Sequence, residues 1–143
     1  MSLHESLTDL SELAAHCHSP AHARGLLEEA QYLIRNAAAH RADGVELAAW
    51  FARVVTDLVR SPGLCSPVRL TGPAARGDLL PSMRITWLGE DPQLEQVIAE
   101  AGLTCAAVEA SAATRADAGL PLGAGGEEDL YTDVLAKLSL IHI

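Results

Sequence analysis

The stretch LTGPAARGDLLPSMRITWL, residues 70–88, decides how this chain is read. Residues 68–71 are a short β-prone run that stops at Gly72, and residues 84–88 alternate Ile85 and Trp87 with polar neighbours. Alternation with period two is the pattern of a half-buried strand. It places Ile85 and Trp87 on one face and Arg84 and Thr86 on the other. The apolar pair is expected in the core, and Arg84 and Thr86 are expected to face a cleft. Between the runs, Gly72-Pro73 and Arg76-Gly77 punctuate the chain.

Upstream the period changes from two to about three and a half. Leu3, Leu7, Leu10 and Leu13 mark one face of a first helix. Ser19-Pro20 ends it, and Pro20 suits the first turn of a second helix running to about residue 40. Its apolar face is Leu26, Leu27, Ala30, Leu33, Ile34 and Ala37. Asp43-Gly44 breaks the pattern before a third helix over residues 45–60, which Ser61-Pro62-Gly63 closes. Downstream, Gly89-Glu90-Asp91-Pro92 is a turn, residues 93–101 a helix and residues 103–108 a third strand. Residues 111–126 are rich in Ala and Gly and carry no clear pattern. Residues 127–140 read as a final helix, with Leu130, Val134, Leu135 and Leu138 on one side and acids in its first turn. The fold class is therefore α/β (α+β), a helical segment over 1–63 packed on a small mixed sheet within 64–143 as one compact unit.

At 143 residues and 49% apolar content, the chain is long enough to bury a core. Aromatics make up only 3%, so Ala, Leu and Val must build that core. A net charge of −9 argues against nucleic-acid binding through a general basic surface, though not against a local basic pocket. Cys17, Cys65 and Cys105 are far apart and show no CxxC spacing, as expected of reduced thiols in a cytoplasmic protein. No secretory leader is expected from the acidic first residues, and no run approaches the length needed to span a bilayer.

Residues 70–88 also resemble the signature of the nucleotidyltransferase superfamily, in which a strand, G-S-x-x-R-G, a short spacer and S-D-x-D-hydrophobic follow in order. The likeness is closest to nucleotidyltransferases related to the uridylyltransferase that modifies signal protein PII. Gly72, Ala75, Arg76, Gly77, Pro81, Ile85 and Trp87 fall where that pattern wants them. Pro73 stands where the family has serine, and Arg84 and Thr86 stand where it has its two aspartates. In the superfamily those carboxylates hold divalent metals, which need oxygen ligands. Arg84 puts a fixed positive charge in their place, Thr86 offers one neutral oxygen, and Pro73 lacks both a hydroxyl and a backbone N–H. The resemblance implies a nucleotidyltransferase-like sheet with a degenerate cleft formed by Gly72, Pro73, Arg76, Gly77, Arg84 and Thr86, with no catalytic residues and no metal site. Residues 23–59 resemble the helical segment that precedes the domain in that family. Members often carry a further helical domain afterwards, which is expected to be absent or to lie beyond Ile143.

Other groups have simpler readings. His16, Cys17, His18 and His22 are the one dense set of transition-metal ligands, but Ser19-Pro20 interrupts them, and the histidines read as solvent-exposed loop residues. Arg76-Gly77-Asp78 is explained by the turn rather than by integrin binding. For Arg76 itself a structural role is favoured over an anion contact. Gly123-Ala124-Gly125-Gly126 precedes Glu127 and Glu128, which would repel phosphate, so it reads as a connector. Glu90, Asp91, Glu109 and Asp117 are the acids that could replace the missing pair, and surface solvation is their favoured role.

Three functions follow as expectations. The first is a non-catalytic, nucleotidyltransferase-like protein with a regulatory or binding role, without cofactor. Its partner would be a small anionic ligand or another protein. The second is an active, metal-dependent nucleotidyltransferase with relocated carboxylates. The third is a structural interaction module in which the helical segment forms a homodimer.

Overall fold

The computed structural model describes residues 3–40 and 43–108. Its elements run α1 (Leu3–Ala15), α2 (Pro20–Ala39), α3 (Gly44–Arg60), β1 (Arg69–Thr71), α4 (Gly72–Arg76), β2 (Ile85–Leu88), α5 (Pro92–Glu100) and β3 (Cys105–Ala107). The expected helix over residues 127–140 lies outside the described residues, as do Glu109, Asp117 and the Gly-rich stretch at 123–126.

The helices start where capping chemistry dictates. Ser19 accepts the His22 N–H at 3.0 Å and Pro20 opens α2, so an otherwise orphaned donor is satisfied. Asp43 accepts the Val45 N–H at 2.9 Å and opens α3, which also carries Glu46 in its first turn and Arg60 in its last. Asp91 accepts the Leu94 N–H at 3.1 Å and opens α5.

Helix α3 is the centre of the helical layer. It buries Leu47, Trp50, Phe51, Val54, Val55, Leu58 and Val59, a stripe broad enough to pack against α1, α2 and α4 together. Helix α2 buries the narrower row from Ala23 to Ala37 and packs on α1, α3 and α5. The N–H of Trp50 donates to the Leu7 carbonyl at 2.8 Å, which fixes α1 on α3.

The sheet is mixed, in the order β1-β2-β3. β1 runs antiparallel to β2, with Leu70 opposite Trp87 and Thr71 opposite Thr86. β2 runs parallel to β3, with Thr86 opposite Ala106. Ile85 and Trp87 are fully buried, and they join one hydrophobic cluster with residues of α1, α2, α3 and α5. This is an α+β fold, with N-terminal helices packed on a small mixed sheet. Among the described residues, no helix is long and apolar enough to cross a membrane.

Candidate functional site

The site expected from the sequence lies where β1 gives way to α4 and where β2 returns beside β1. Gly72 turns the chain with φ of 61°, a left-handed conformation that costs little only without a Cβ. A Cβ there would also stand 2.9 Å from the Thr86 hydroxyl oxygen. Gly72 and Thr86, fourteen residues apart in sequence, are thus in close contact. Pro73 occupies the first turn of α4, where its missing N–H costs nothing. Arg76 ends the helix, and Gly77, with φ of 76°, caps it through its N–H to the Pro73 carbonyl. The Asp78 N–H reaches the same carbonyl at 2.9 Å. The Arg-Gly-Asp tripeptide is therefore the end of a short helix.

On β2 the alternation is visible in the burial. Ile85 is 1% exposed and Trp87 is 0% exposed, whereas Thr86 is half-buried. Arg84 is exposed and stands just before the strand rather than inside it, because the ladder begins at Ile85, whose N–H donates to the Thr104 carbonyl at 2.9 Å. Arg84 and Thr86 therefore lie in different settings. Thr86 shares a hydrogen bond of 2.8 Å with Thr71, a buried residue that sequence reading treated only as the end of a strand.

The charge of this unit differs from that of the chain. Over residues 69–88 there are three cations, Arg69, Arg76 and Arg84, and one acid, Asp78, a net of +2. All four are exposed. The whole chain carries −9. This local excess was countable in the sequence, but its meaning depends on the fold bringing β1, α4 and β2 together.

Of the acids weighed as substitutes, Asp91 is committed to capping α5, and Glu90 is exposed on the turn before it. Among the described residues, no group of three or more His, Cys, Asp or Glu side chains is placed to hold a metal ion. Cys17 is buried, and its thiol donates to the Ser19 carbonyl at 3.2 Å. The reading of the histidines as exposed loop residues needs correction at His22. His22 is half-buried in the first turn of α2 rather than in a loop, its ring 4.5 Å from that of His18 in an edge-to-face arrangement. The cause is the Ser19–Pro20 start of α2, whose first turn takes in His22.

All three cysteines are free. Burial, and secondarily the charge of Glu95, push the Cys105 thiol above its ordinary pKa of 9.0. Comparison of the chain with protein-family models, with curated proteins and with solved structures found no match.

Proposed function

We propose that this chain is a non-catalytic, nucleotidyltransferase-like protein of the cytoplasm whose role is regulatory, through metal-free binding of a small anionic ligand at the β1–α4–β2 unit. The reading is carried by one observation: three arginines against one acid on this unit, in a chain that is strongly acidic elsewhere. Guanidinium groups suit phosphate and carboxylate, which they can engage through paired N–H donors. The Thr71–Thr86 bond supports the non-catalytic part of the reading, because it uses the Thr86 hydroxyl within the protein. The capping role of Asp91 speaks against relocated catalysis through that residue.

Calorimetric titration with inorganic pyrophosphate and with ATP, each with EDTA and then with Mg²⁺, tests the proposal. Binding in EDTA that weakens with added salt is expected. Binding that requires Mg²⁺, or release of pyrophosphate from a nucleoside triphosphate, would overturn it.

A further inference from the structure

A second feature of the molecule is unrelated to the arginine-bearing unit. Between α1 and α3 lies a groove of about 350 Å³. Its deeper side chains are Leu7, Leu47 and Trp50, which are buried or half-buried, and among the described residues its exposed rim carries Glu12, Asp43 and Glu46 against one cation, Arg53. The groove is preformed, since the Trp50–Leu7 hydrogen bond holds its two walls together. A site that needs no ordering on binding avoids that part of the entropic cost.

Glu12, on the rim, also lines a second, more open depression with Asp9, Leu13 and His16, which lies round α1 from the groove, so acidic side chains extend beyond the groove itself. Asp9 and Leu13 are exposed there. A trough with an apolar floor and an acidic rim is complementary to one chemistry, a segment that is both apolar and basic. A second copy pairing through this same face would bring like charge to the rim. A small amine would leave the apolar floor uncovered.

We propose that this trough docks a basic, amphipathic peptide segment of a partner protein. One apolar side chain sits against Leu7, Leu47 and Trp50, and lysine or arginine side chains reach Glu12 and Glu46.

The test uses the whole chain and the two tryptophan indole N–H signals in a proton–nitrogen NMR spectrum. Trp50 reports on the groove, and Trp87, fully buried on β2, is the internal reference. The probe is a short synthetic peptide of leucine and lysine. It should shift the Trp50 signal saturably and leave Trp87 unmoved, while the matched leucine–glutamate peptide should do nothing. Combining Glu12→Lys with Glu46→Lys should weaken binding by about tenfold or more. Arg53→Glu should strengthen it, a gain that loss of structure cannot imitate and that remains readable if the double variant folds poorly. The proposal is overturned if Trp50 does not respond, or if the glutamate peptide binds equally well. It is also overturned if Arg53→Glu fails to strengthen binding or the double variant binds undiminished. Two further results would replace it with another occupant. One is a Trp50 shift that follows protein concentration without peptide and tracks a dimer in sedimentation. The other is an equal shift by spermidine alone.

Discussion

The hydroxyl oxygens of Thr71 and Thr86 meet at 2.8 Å across the β1–β2 pair, at positions directly opposite one another. Thr71 is 1% exposed, so this bond satisfies a polar group that water does not reach. It lies beside Gly72, whose absent Cβ gives the Thr86 hydroxyl its room. One neutral pair thus fills the place where the resemblance would have a metal-binding carboxylate.

Thr86→Val should lower stability by about 1–3 kcal/mol, because it leaves the buried Thr71 hydroxyl unpaired. Adding Thr71→Val should recover much of the loss, since both partners are then apolar. Urea unfolding of the two single variants and the double variant measures the coupling. Additive losses would mean that the bond contributes nothing.

Gly63 is where the loop after α3 meets the loop before α2. Its N–H donates to the Cys17 carbonyl at 2.9 Å, and a Cβ would collide with the Ser19 backbone nitrogen and lie 2.7 Å from the His18 carbonyl carbon. These are backbone atoms that cannot swing aside, so Gly63→Ala should cost about 1–3 kcal/mol. Gly25→Ala is the contrast, because the site is exposed within α2 with nothing nearby. It should stabilise by about 0.5–1 kcal/mol through helix propensity. Thermal unfolding should move the two midpoints in opposite directions.

Trp50→Phe keeps an aromatic ring but removes both the donor to the Leu7 carbonyl and the volume of the second ring at a buried position. A loss of about 1–3 kcal/mol is expected from the bond and the cavity together. Amide exchange should rise first in α1, because that bond ties it to α3. Uniform acceleration across α1, α2 and α3 would contradict a local role.

The thiols should react in order of access, Cys65 first, then Cys105, with buried Cys17 protected until the chain unfolds. For Cys105 the folded pKa is raised, so the protonated form is the one the fold favours. Its contribution to stability is fully present below the ordinary value of 9.0 and is lost as pH rises through the raised pKa. Alkylation of Cys105 should therefore begin at higher pH in the folded chain than in urea, and Glu95→Gln should narrow the gap. Equal pH profiles for Cys105 in the folded and unfolded chain would contradict this account.

Much of the architecture was legible because the signals are local. Apolar spacing marked α1, α2 and α3, and the breaks at Ser19-Pro20, Asp43-Gly44 and Asp91-Pro92 fell at the starts of α2, α3 and α5. Alternation at Ile85 and Trp87 marked the buried face of β2. Less legible features depend on long-range pairing or on very short segments. Helix α4 is five residues opened by Gly72 and Pro73, too short to show a period. The Thr71–Thr86 bond follows from strand register, which no local pattern encodes. Asp91 read as a surface acid, and its contact with the Leu94 N–H makes it a cap. Arg84 was expected inside a strand whose ladder begins one residue later, at Ile85.

The central claim is that the arginines of the β1–α4–β2 unit bind an anion without metal. Calorimetric titration of inorganic pyrophosphate in EDTA, on the native chain and on Arg84→Asp, tests it most directly. The account predicts salt-sensitive binding to the native chain and at least about a tenfold loss in the variant, because a charge-assisted contact is replaced by repulsion. Unchanged binding in Arg84→Asp, or heat released only once Mg²⁺ is added, would contradict it.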